Sequence, residues 1–76
     1  MVNDYPDGSL LIGRKGEIEI TLEHEIGLGW YTYVRKEGKV IRDNLSDNLE
    51  AAFRGCEMEY GLSRDLFIEP KGTNGV

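Results

Sequence analysis

The apolar residues of this chain change their period once. From Leu10 to Ile41 they fall on roughly alternate positions, and from Leu45 to Tyr60 they recur every three or four. A period of two buries one face of a sheet and a period near 3.6 buries one stripe of a helix. A chain that carries the first and then the second satisfies both by laying the helix across the sheet. The helical stretch is the stronger signal, with Leu45, Leu49, Ala52, Phe53, Cys56 and Tyr60 on one side. Asn44 and Ser46 are both competent N-caps, Asp43 and Asp47 suit the positive end of the helix, and Gly61 is placed to end it in the left-handed conformation.

The alternating half divides into four short strands. "LLIG" leads through Arg14-Lys15-Gly16 into "EIEITL". A three-residue turn there sets Ile12 opposite Ile18 and Leu10 opposite Ile20, which keeps apolar side chains on one face. "IGLG" at 26–29 turns the chain back into "WYTYVRK", and Glu37-Gly38 makes a two-residue turn into "KVIRD". That second turn sets Val34 opposite Ile41 and Arg35 opposite Val40. The expected fold is therefore α+β: an antiparallel meander of about four strands with one helix across one face. The helix hides Ile18, Ile20 and Leu22 under Leu49, Phe53 and Cys56. After a connector, Leu66 to Ile68 form a short apolar run that either adds an edge strand or docks on a partner, and Pro70 ends it. Residues 1–9, with the turn signal "DYPDGS", read as a polar lead-in, residues 10–69 as one domain, and residues 70–76 as a polar tail.

At 76 residues such a domain buries only about 60% of its unfolded surface, so its core is thin. Nine basic residues against fourteen acidic ones give a net charge of −5. The basic residues are scattered, which argues against nucleic acid as a ligand and against an anionic membrane surface. The opening "MVNDYPDGSLL" has no basic start followed by an apolar run, so no secretory signal is read and the expected compartment is the cytoplasm. One cysteine agrees with a reducing compartment.

Catalytic patterns are wanting. His24 is the only histidine; it falls on the apolar side of its strand, where the sequence nominates no partner for a general base. Cys56 belongs to the helical apolar stripe, a setting that raises a thiol's pKa and makes it inert. "NDYPDG" is the nearest approach to a calcium loop and lacks the required spacing of carboxylates. "GLGW" joins two strands instead of opening a helix, so its glycines do not build a phosphate cradle. The expectation is a non-enzymatic protein with no cofactor and no metal site.

Surface features remain. Glu17, Glu19, Glu23 and Glu25 stand on alternate positions with Thr21 between them, on the strand face away from the helix. If Trp30, Thr32 and Val34 turn inward, the next strand adds Tyr31, Tyr33 and Arg35 to that face, with Val40 and Arg42 from the fourth. Tyrosine and arginine are enriched in protein interfaces; the competing reading is a solvated face on which Arg35 and the lysines pair with the glutamates. Met58 projects away from the apolar stripe, beside Asp47, Ala51 and Arg54, where it is either covered by the "LFIE" run or open to a partner. Glu17, Glu19, Glu23, Glu25, Tyr31, Tyr33, Arg35 and Met58 are thus the candidate protein-binding residues. The functional expectation is a small acidic regulatory protein acting by protein contact, in its sharpest form an inhibitor covering the basic nucleic-acid-binding surface of an enzyme. Two rivals accompany it: a ligand-binding or enzymatic domain with a pocket completed at a homodimer interface, and a structural subunit of a larger assembly. An unpaired strand edge offers a route to the homodimer.

Overall fold

A computed structural model describes residues 8–70. They form an α+β fold in which β1 (Leu10–Lys15), β2 (Ile18–Glu25), β3 (Gly29–Lys36) and β4 (Lys39–Ser46) make an antiparallel meander. The helix α1 (Leu49–Tyr60) crosses one face, and β5 (Phe67–Ile68) returns to pair with β1, giving the order β4-β3-β2-β1-β5. Residues 1–7, with Pro6 and Asp7 of the expected turn, and residues 71–76 lie outside the described set. At the end of the lead-in, the Gly8 amide donates to the His24 carbonyl at 2.8 Å and the His24 amide donates to Ser9 at 2.9 Å, prolonging the ladder beyond Leu10.

The β1–β2 register differs from the expected one. The turn contains two residues, Gly16 and Glu17, and joins Lys15 directly to Ile18. Gly16 has a positive φ of 63° at the first central position, the requirement of a type II′ turn, whose twist matches the flanking strands. Leu11 therefore stands opposite Leu22 and Gly13 opposite Ile20, while Leu10 and Ile12 face the other way, opposite Glu23 and Thr21. Gly13 is what makes this register work. A Cβ at this position would lie 3.0 Å from both Leu62 and Phe67, so a bare backbone lets those two side chains close over β1.

The Glu37-Gly38 turn is found as expected, with both residues at positive φ. Arg35 stands opposite Val40 as read, but Val34 stands opposite Arg42 instead of Ile41, because a β-bulge leaves Ile41 as an extra residue. The bulge turns Arg42 to the helix side, where its Nη1 donates to Glu59 at 3.2 Å and reaches the Tyr60 hydroxyl at 3.5 Å. Leu45 is corrected with it. It is the partner of Tyr31 in β4, 43% exposed, and takes no part in the helical stripe.

The helix accordingly starts later than expected. Asn44 and Ser46 are occupied in the sheet, opposite Thr32 and Trp30, and Asn48 is the cap, its Oδ1 accepting from the Ala51 amide at 2.8 Å. Three cap-competent residues stand at even spacing, and strand pairing leaves only the last free to act. Gly61 ends α1 at a φ of 72°, and Leu62, just beyond it, is fully buried. The core comprises Leu11, Ile20, Leu22, Trp30, Val34, Ala52, Cys56, Leu62 and Phe67, with Ile18, Leu49, Phe53 and Tyr60 packed around it. Phe67 meets Phe53 at 5.3 Å between centroids, and the Arg64 guanidinium lies 4.9 Å over the Phe53 ring. The "LFIE" run is thus part of the domain, through β5 and its pairing with β1.

Candidate functional site

One helix covers one sheet face, so among the described residues the other face is open, and the register fixes its contents row by row. The first row runs Ile68, Ile12, Thr21, Tyr33, Asp43 across the five strands. The next runs Leu10, Glu23, Tyr31, Leu45, and Glu25 lies beyond it, opposite Gly29. On the other side of the first row stand Arg14, Glu19, Arg35 and Val40. Glu19, Glu23, Glu25, Tyr31, Tyr33 and Arg35 are therefore brought together on this face as the alternation implied. Arg42 is not among them, whereas Leu10, Ile12, Asp43 and Leu45 are, and sequence reading missed these four because both register errors moved them off the face. Glu17 sits in the exposed β1–β2 turn, at the basic end of the face.

Charge on this face is segregated. Arg14 pairs with Glu19 at 2.9 Å, and Arg35, although opposite Glu19, donates to the Thr21 hydroxyl at 3.0 Å. Glu23, Glu25 and Asp43 have no ion-pair partner among the described residues. They flank Tyr31 and Tyr33, whose rings stack with centroids 6.0 Å apart and planes 19° from parallel. Both rings are half-buried. Partial burial, and then the charge of Glu23 with further contributions from Tyr31, Asp43 and Glu25, raise the Tyr33 hydroxyl above its ordinary pKa. Burial first, and then the negative potential at that end of the sheet, disfavour the phenolate.

Met58 is remote from this face. It projects from the outer side of α1 with 78% of its surface exposed, and of the two alternatives the cover by the "LFIE" run is not found, since β5 lies at the β1 edge. The eight candidate residues therefore divide between opposite sides of the molecule, seven with the sheet and Met58 alone with the helix.

His24 and Cys56 take structural positions. His24 stacks on Trp30 with ring centroids 4.8 Å apart, on the helix side of the sheet, and so does not converge with the glutamates of its own strand. Cys56 is 2% exposed, and burial, helped by Glu59, pushes its thiol up to about 11. A cavity of about 40 Å³ between α1 and β4 is lined by Thr32, Asn44, Ser46, Gly55, Cys56 and Tyr60, among others. That volume admits one or two waters, far less than the ~300 Å³ or more of a substrate pocket. Among the described residues no group of three His, Cys, Asp or Glu is arranged to hold a metal ion, and no helix is long and apolar enough to cross a membrane.

Compared with known proteins, the chain matches no family model, no curated protein and no solved structure.

Proposed function

We propose that this protein is a small regulatory module that acts by contact, docking a basic surface of another protein on the open face of its sheet. One observation carries this reading: three carboxylates without ion-pair partners among the described residues, Glu23, Glu25 and Asp43, surround a stacked tyrosine pair on a face that the helix leaves uncovered. An ordinary solvated face would pair its charges across strands, each pair contributing about 0.2–1 kcal/mol. Here, among the described residues, only Glu19 does so. The sharper form of the proposal is an inhibitor that covers the nucleic-acid-binding surface of an enzyme, since such a surface supplies the clustered Lys and Arg that these carboxylates complement.

The structural-subunit reading keeps only Leu66 and Ile68 as exposed docking residues, because Phe67 is buried and β5 is already paired with β1. The shared-pocket reading has no support from His24, which points to the helix side.

The test is affinity purification from the native host at low salt with the full chain, beside a Glu23→Lys, Glu25→Lys variant and a Met58→Ala control. The expected result is a companion protein that is lost with the charge reversals, kept with Met58→Ala, and released as salt rises. A companion kept by the reversed chain and lost with Met58→Ala moves the interface to the helix and refutes the proposal.

A further inference from the structure

The tyrosine pair suggests more about the partner than its sign, resting on the reading of the open face as the docking surface. Tyr31 and Tyr33 are two residues apart on β3, with nearly parallel rings. Tyr31 has Glu23 directly opposite on one side, and Tyr33 has Asp43 directly opposite on the other. Directly opposed residues in an antiparallel pair stand about 4.5–5.5 Å apart at Cβ. Each ring therefore has a carboxylate beside it, neither in an ion pair with a described residue.

Two cations could use such a place, and their chemistry differs. An ammonium is compact, strongly hydrated and satisfied by the carboxylates alone. A guanidinium is planar and less strongly hydrated; it lies flat on an aromatic face while its edge donates two parallel hydrogen bonds to a carboxylate. The arrangement on β3 offers both surfaces at once, and twice over. The repeat matters as well. The rings stack on one another, so their free faces are the outer two, and an extended chain reaches both with side chains about four residues apart at ~3.3 Å per residue. Arg14 lies at the far end of the face, whereas the Arg35 guanidinium reaches back to the Thr21 hydroxyl opposite Tyr33, so a cation is received most readily from the Tyr31 and Glu23 side.

We infer that the open face binds an arginine-bearing segment of a partner protein, with arginines of an extended stretch stacked on the outer faces of Tyr31 and Tyr33 and bonded to Glu23 and Asp43. The stacking contribution corresponds to about 2- to 5-fold in affinity per arginine seated on a ring, and the paired hydrogen bonds of the planar fork separate arginine from lysine.

Two synthetic peptides test this against the full chain at low salt: one alternating arginine with serine, the other alternating lysine with serine. Amide chemical shifts locate binding, and titration gives affinity. The expected result is tighter binding of the arginine peptide, shifts centred on Tyr31, Tyr33 and their cross-strand neighbours, and weaker binding of both peptides to Glu23→Gln. With Tyr31→Leu and Tyr33→Leu, which remove the aromatic faces and keep the bulk, the arginine preference should fall toward unity. Equal binding of both peptides to the unaltered chain overturns the arginine assignment and leaves a basic partner standing. Binding of neither overturns both. A doubling of mass at low salt that competes with the peptide would give the face to Arg14 and Arg35 of a second copy, and would also overturn the proposal.

Discussion

Replacing Gly13 with alanine adds one methyl group at the point where the fold closes, and the structure gives both terms of its effect. Gly13 has no positive φ, so alanine fits the backbone there and gains about 0.5–1 kcal/mol by restricting the unfolded chain. Against this, the new Cβ lies 3.0 Å from the Leu62 and Phe67 side chains, and overpacking of a core costs about 1–3 kcal/mol. The net expectation is a loss of about 1 kcal/mol, or roughly 4–8 °C in Tm for a domain of this size. Gly55→Ala is the control. Gly55 lies inside α1 with nothing within 4 Å of an added Cβ, so the same change should there stabilise the protein by about 0.5–1 kcal/mol. Urea unfolding followed by the fluorescence of Trp30, the single tryptophan and a core residue, measures both variants. If Gly13→Ala proves as stable as the unaltered chain while Gly55→Ala behaves as expected, Leu62 and Phe67 do not close over β1. The "LFIE" run would then be free to dock elsewhere.

Removing the helix cap with Asn48→Ala should cost about 1 kcal/mol, whereas Asn44→Ala, at the residue first expected to serve as a cap, should change stability by less than about half of that; urea midpoints at constant slope decide between them. Because the Cys56 thiol is held at about 11 when folded, against an ordinary 9, the unfolded chain loses that proton first as pH rises. Stability should therefore be complete below pH 9 and decline between about pH 9 and 11, and the difference curve against Cys56→Ala isolates this contribution from the tyrosines and lysines that titrate in the same range. A flat difference curve would show that the thiol is solvated.

The architecture was legible because two different periods occupy separate halves of the chain, and each names its own element. What the periods do not carry is register. "GRKGE" accommodates a two- or three-residue turn, and the choice depends on how Leu62 and Phe67 pack over Gly13, contacts made across some fifty residues. Leu62 itself looked like part of a connector, since one leucine between Gly61 and Ser63 has no periodic neighbours. The helix start was misplaced for a related reason. Asn44, Ser46 and Asn48 are equivalent as local cap signals, and only pairing with β3 removes the first two. The bulge at Ile41 has no strong local signature, yet it decides that Arg42 serves the helix and that Asp43 joins the open face. The glutamates and tyrosines survived these errors because β2 and β3 lie in the middle of the sheet, where the alternation of Ile18, Ile20 and Leu22 against Trp30, Thr32 and Val34 admits one facing.

The pairing of β5 with β1 also orders events during synthesis. Ile12 and Ile68 become neighbours only after the intervening chain exists, and closing so long a loop is entropically late and slow. While β1 to β4 are already made, the nascent chain still lacks Leu62 and Phe67, and the core side of β1 stays wet. During that interval the unpaired edge of β1 is a template for any other strand nearby. A chain cut short after Gly61 would therefore present a meander whose hydrophobic side is uncovered beside Gly13, a substrate for holdase chaperones.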